Sequence, residues 1–132
     1  MVISLTPVKM EAKVSTTLKK NRAMLDFTEQ HLLVRRKNFA QLDEKDERIL
    51  NAVALAYVRK DRLSVKDLMT QRVLGSPATI HARIKFLRSK DLIEYKSTED
   101  ARRYQIVPSE KLLRYFDELG LAIKKIAGTS DK

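Results

Sequence analysis

The chain has 132 residues, 43% of them hydrophobic, with 27 Lys and Arg against 17 Asp and Glu for a formal charge of +10. That length suits a single domain around one core, the composition excludes a disordered chain, and no apolar run approaches the roughly 18 residues that a membrane span needs. With no cysteine, the chain has no disulfide, thiolate nucleophile or Cys-based zinc site, and its surplus of cations favours polyanionic partners.

Residues 1–14 mix apolar side chains with Pro7 without a period and are read as an N-terminal arm. From residue 15 to about 40, Leu18, Leu25, Leu32 and Phe39 recur every seven residues with no Gly or Pro between them. This spacing predicts one helix whose apolar stripe packs on other helices. Asn21, Thr28 and Arg35 on the intervening positions are polar, which argues against a long coiled coil. Asp43, Glu44, Asp46 and Glu47 then open a second helix, because carboxylates in a first turn satisfy free N–H groups and meet the positive end of the dipole. Read as a metal or acid/base site instead, this cluster has no histidine near it in the chain, His31 belonging to a separate helix. The second helix continues through Ile49, Leu50, Val53, Ala54, Ala56 and Tyr57.

Arg62 and Leu63 form an extended link, and Ser64 caps a short helix running from 65 to about 72 with Val65, Leu68 and Met69 inward. Leu74 and Gly75 make a turn. Ser76 supplies an N-cap oxygen and Pro77 takes the first helical position, where its missing N–H costs nothing, so a new helix starts there and spans 76–90. Ile80, Ile84 and Leu87 fix its buried stripe; Ala78, His81, Ala82, Lys85, Arg88 and Ser89 form an opposite face without a carboxylate. Residues 92–96 and 102–107 read as two strands of a basic hairpin with a polar turn at 97–101. Pro108 and Ser109 start the last helix, with Leu112, Phe116, Leu119, Ile123 and Ile126 in one stripe to about 127, before a polar tail at 128–132. Leu33, Val34, Leu113 and Leu121 lie off these stripes, so residues 15–41 and 109–127 are expected to dimerise.

A short helix, a tight turn, an acid-free helix and an arginine-bearing hairpin, in that order, make a winged helix-turn-helix. The fold expected is mainly α with a small β-hairpin, a winged helix-turn-helix core in 43–108 flanked by N- and C-terminal dimerisation helices. Taken singly, Lys85 or Arg88 reads as part of a solvated face. Together with the cap, the buried stripe and the hairpin, they read as an interface to double-stranded DNA. Ala78 and Ala82 are small enough for close approach to base edges, His81 and Lys85 can donate to purine acceptors, and Arg88 reaches bases or phosphates. Ser76 and Thr79 at the helix start suit a phosphate. In the wing, 95–104, Arg102 and Arg103 on successive strand positions point to opposite faces, which brings at least one to the minor groove. Asp100 is expected to orient the Arg102 guanidinium through a bidentate pair, and Lys96 joins them.

On these residues the chain resembles the MarR family of bacterial transcriptional regulators. The run from Gly75 to Ile93, GSPATIHARIKFLRSKDLI, is similar to that family's recognition helix and its exit into the wing. Thr98 to Arg103, TEDARR, is similar to its acidic-then-arginine wing tip, and Val107-Pro108-Ser109 to its entry into the following helix. The resemblance covers roughly residues 43–110; Asp91 stands where the family usually has glycine. It implies a homodimer with intertwined first and last helices on a pseudo-palindromic operator. It also implies small aromatic effectors in many relatives, though the residues here single out no pocket for one.

Glycines at 75, 120 and 128 build no phosphate-cradling loop, and no nucleophile stands beside a base, so neither catalysis nor a cofactor is expected. With only two histidines, on separate helices, no metal site is expected either. The competing reading is a winged-helix protein-interaction or replication/partition adaptor with weak or non-specific DNA binding. The N-terminus shows no apolar leader stretch, which predicts a cytoplasmic protein, nucleoid-associated when on DNA.

Overall fold

The computed structural model describes residues 8–100 and 102–130. Along the chain run α1 (Val8–Lys20), α2 (Arg22–Asn38), α3 (Glu44–Val58), α4 (Val65–Met69), a 3-10 turn (Arg72–Leu74), α5 (Pro77–Ser89), β1 (Ile93–Ser97), β2 (Tyr104–Pro108) and α6 (Glu110–Ser130). Among the described residues, no helix is long and apolar enough to cross a membrane.

The N-terminal region differs from its sequence reading in two ways. Helix begins at Val8, inside the stretch assigned to an arm, of which residues 1–7 lie outside the described residues. The single helix expected over 15–40 is two, because Asn21 leaves helical geometry (φ −106, ψ 19) and its side-chain amide donates to the Thr17 carbonyl at 2.9 Å. This local bond is the one by which Asn competes with continued helix. Only the last member of the heptad line packs, Phe39 against the core; Leu18, Leu25 and Leu32 remain 50%, 44% and 39% exposed, whereas Val34, off that line, is buried. At the other end, α6 runs beyond 127 into the expected tail.

From α3 onward the helix starts at Asp43, Ser64 and Ser76 hold, while α4 ends at Met69 rather than near 72 and Pro108 closes β2 rather than opening the last helix. Asp43 and Asp46 form a reciprocal capping box, the Asp46 N–H donating to Asp43 Oδ1 at 3.0 Å and the Asp43 N–H to Asp46 Oδ2 at 3.1 Å. Ser64 and Asp67 repeat this at the start of α4, at 3.1 and 3.0 Å, each box satisfying two N–H groups that a helix start leaves free. The core gathers Ile49, Leu50 and Val53 of α3, Leu68 of α4, and Ile80, Ile84 and Leu87 of α5 against Ile93, Ile106 and Leu112, all under 2% exposed. Each such side chain contributes about 1.5–3 kcal/mol by leaving water. On α6, Leu112, Tyr115 and Leu119 are buried against α2 and the core, while Ile123, expected on the buried stripe, is 49% exposed.

β1 and β2 pair antiparallel from Ile93↔Pro108 to Ser97↔Tyr104. Leu63 is drawn in beside them, its carbonyl accepting the Ile106 N–H at 2.7 Å. α5 ends through Asp91 in the left-handed region (φ 60), the Leu92 N–H bonding the Leu87 carbonyl at 3.1 Å. An aspartate thus makes the reversal that glycine usually makes. The described chain is a winged helix-turn-helix, mainly α, with a two-stranded wing and flanking helices at both ends.

Candidate nucleic-acid interface

Gly75 sets the angle between α4 and α5. Its φ of +132 is open to glycine and strained for other residues, and one residue later the Ser76 Oγ caps α5 by accepting the Thr79 N–H at 3.2 Å. The Ser76 hydroxyl also donates to Thr79 Oγ1 at 2.8 Å. Both residues therefore stand at the helix start, as the sequence implied, with their hydroxyls paired to each other.

The buried stripe fixes the rotation of α5. Ile80, Ile84 and Leu87 are fully buried, and Ala78, His81, Ala82, Lys85 and Arg88 are all exposed on the far side. Arg88 is not a free cation there: its guanidinium lies 4.0 Å from the centroid of the Tyr95 ring, which in turn stacks with Tyr104 at 6.0 Å. The pair of tyrosines sits on one hairpin face, since Ser97, the partner of Tyr104, is two residues from Tyr95.

The wing tip corrects the sequence reading. Arg102 and Arg103 precede β2 and lie in the turn, not on alternating strand positions. Side chains decide this: Asp100 Oδ1 accepts the Arg102 N–H at 3.0 Å, and the Thr98 hydroxyl reaches the Asp100 and Arg103 carbonyls at 2.9 and 2.7 Å. Asp100 makes no bidentate pair with the Arg102 guanidinium; its Oδ2 faces Arg103 Nε at 3.9 Å. Ala101, within the expected turn, lies outside the described residues.

Between the wing and α4 runs an open groove of about 1210 Å³. It brings together His81, Asp100, Arg102 and Arg103 of the expected residues, with Tyr95, Tyr104, Arg62 and Lys66 beside them. Ala78, Ala82, Lys85 and Lys96 are outside its lining; Lys96 alternates with Tyr95 onto the other face of β1.

Two clusters escaped the sequence reading. Arg83 of α5 reaches Asp43 Oδ2 at 3.1 Å and Asp46 Oδ2 at 3.3 Å at the start of α3. Asp46 is fully buried, and burial raises its carboxyl above the usual range, while the Asp46 N–H and the Arg83 charge hold Asp43 below it. Glu47, also buried, accepts the Tyr115 hydroxyl at 2.6 Å, with His31 Nε2 at 3.0 Å and Arg35 NH1 at 3.8 Å. His31, assigned to a distant helix, is thus the direct neighbour of the acidic cluster. Burial and the bond to Glu47 push the Tyr115 phenol well above its ordinary pKa. One signal was available: Arg83 sits beside Ile80, Ile84 and Leu87, and a cation drawn toward a buried stripe is stabilised there by an acid.

No family model and no curated protein matches the sequence. Among solved structures, a mutant of S. aureus MepR bound to an oligodeoxyribonucleotide is similar with a TM-score of 0.59, over 95% of this chain and 82% of that one at 14% identity. The adhesin competence repressor AdcR from Streptococcus pyogenes is similar at 0.46, over 83% and 78% of the two chains at 21% identity.

Proposed function

We propose that this chain is a sequence-specific, double-stranded DNA-binding transcriptional regulator of the MarR type. The observation that carries the reading is the outer face of α5: Ala78, His81, Ala82 and Lys85 are exposed together, opposite a fully buried stripe, with no carboxylate among them. In this reading residues 76–90 enter the major groove. Lys85 donates to a guanine edge, a contact worth about 1–3 kcal/mol against the wrong base, and His81 donates to a neighbouring purine. Ser76 and Thr79 meet a phosphate at the helix start. Wing residues 95–104 lie along the minor groove with Arg102 and Arg103 at the tip and Lys96 toward the backbone.

The regulator acts as a homodimer on a pseudo-palindromic operator. Supporting this, Leu18, Leu25, Leu33, Leu113 and Leu121 are exposed on the flanking helices, a set that one chain leaves in water and a second copy would cover. Two recognition helices then read half-sites about 10–10.5 bp apart. That the similar MepR structure holds an oligodeoxyribonucleotide supports DNA as the partner.

Selection of bound sequences from a random duplex pool tests the reading. A two-fold symmetric site with that spacing, bound with steep salt dependence, is expected. Recovery of no sequence together with salt-insensitive binding would leave the adaptor reading in its place.

A further inference from the structure

We propose that Arg83 is a positioning residue for DNA reading: clamped to Asp43 and Asp46, it fixes the rotation and axial register of α5 relative to α3. This rests on the proposed role of α5, and it assigns sequence discrimination to a residue turned away from the exposed reading face.

The geometry carries it. The apolar stripe of α5 decides which side is buried, but apolar contact is non-directional and resists a small roll or slide weakly. A planar guanidinium held between two carboxylates is directional. One terminal nitrogen of Arg83 lies 3.1 Å from Asp43 Oδ2 and the other 3.3 and 3.4 Å from the two Asp46 oxygens. Both carboxylates are themselves fixed, since each accepts a backbone N–H of the capping box. The clamp is therefore anchored to the α3 backbone. Arg83 lies two residues from both His81 and Lys85, about 200° around the helix from each, and a roll of α5 against this clamp re-aims both donors at once. Asp46 has no exposed surface, and a buried carboxylate deprived of its cation must find another partner, take up a proton or move. Loss of Arg83 thus displaces the joint itself.

The competing role for Arg83 is direct phosphate contact, and the two roles give opposite results. The test compares Arg83→Met, Arg83→Lys and Asp46→Asn with the parent protein on the selected operator and a scrambled duplex across salt. Positioning predicts that Arg83→Met lowers operator-over-scrambled discrimination by about tenfold with the salt slope on scrambled DNA unchanged. Asp46→Asn, although it removes a negative charge and so favours any polyanion, lowers discrimination as well. Arg83→Lys, which keeps the charge without the fork and serves if the methionine variant does not fold, falls between. A salt slope reduced by about one on both duplexes in Arg83→Met, or unchanged or improved discrimination in Asp46→Asn, overturns the proposal.

Amide exchange without DNA separates this from the DNA reading. Arg83→Lys is expected to speed exchange in residues 77–89 relative to β1 and β2. Unchanged exchange there overturns the clamp even if the parent protein reads no sequence.

Discussion

The Arg88 guanidinium lies over the Tyr95 ring, 4.0 Å from its centroid, and so joins the end of α5 to the base of the wing. An exposed cation–π contact is worth about 0.5–1 kcal/mol, modest for stability beside the burial of Ile93 and Ile106 in the core, but more directional than that apolar contact. A residue that the sequence marks as a DNA contact thus also ties the wing to α5.

It follows that Arg88 and the wing arginines act together. A double-mutant cycle on operator affinity between Arg88→Ala and Arg102→Ala should show coupling of about 0.5 kcal/mol or more. Simple additivity would mean that Arg88 does not direct the wing.

Arg102 and Arg103 differ in availability. Arg103 faces Asp100 at 3.9 Å, whereas no ion pair involves Arg102 among the described residues. Arg102→Ala is expected to weaken binding to every duplex and reduce the salt slope by about one; Arg103→Ala should do less. Salt titrations of the two variants read this directly, and equal effects would remove the distinction.

Lys85→Ala should lose more affinity on the operator than on a scrambled duplex at one salt concentration, by about 1–3 kcal/mol. Equal losses would assign Lys85 to phosphate.

The proposed dimer rests on apolar side chains left in water. Sedimentation at micromolar concentration should give twice the 15.2 kDa chain mass, and Leu25→Glu together with Leu121→Glu should return the monomer. A parent protein that sediments as a monomer would refute this assembly.

Tyr115 gives a pH signature. Its pKa is raised by burial and then by the bond to Glu47, so above pH about 10 the folded state holds the phenolic proton more tightly than the unfolded chain. The stability from this group is fully present below that pH and falls as pH rises, by up to about 1.4 kcal/mol per pH unit. Denaturant melts of Tyr115→Phe should show lower stability at neutral pH, by about 1.5–3 kcal/mol for the lost hydrogen bond to the Glu47 carboxylate, and a shallower alkaline decline than the parent. Parallel alkaline profiles would contradict the assignment.

What the sequence disclosed was what neighbours decide. Ser76 with Pro77, and the Ile80, Ile84 and Leu87 stripe, are local rules, and α5 follows them to the residue. The same holds for Asp43 at the start of α3. The wing turn was misread because Thr98 and Asp100 hold it by side-chain bonds to the backbone, which strand propensity does not register. His31 and Glu47 are 16 positions apart, and Glu47 and Tyr115 68; such pairs exist only once α2, α3 and α6 are packed. The Leu18, Leu25 and Leu32 line was visible as a period, but a period does not say whether its complement belongs to the same chain.

Asp46 and Glu47 are consecutive and so project about 100° apart around α3. Asp46 is turned to α5 through Arg83, and Glu47 to α2 and α6 through His31 and Tyr115. A rotation of α3 about its axis would disturb both sets of bonds at once. The first turn of α3 is therefore the joint at which α5 on one side and α2 and α6 on the other are tied together through two adjacent carboxylates.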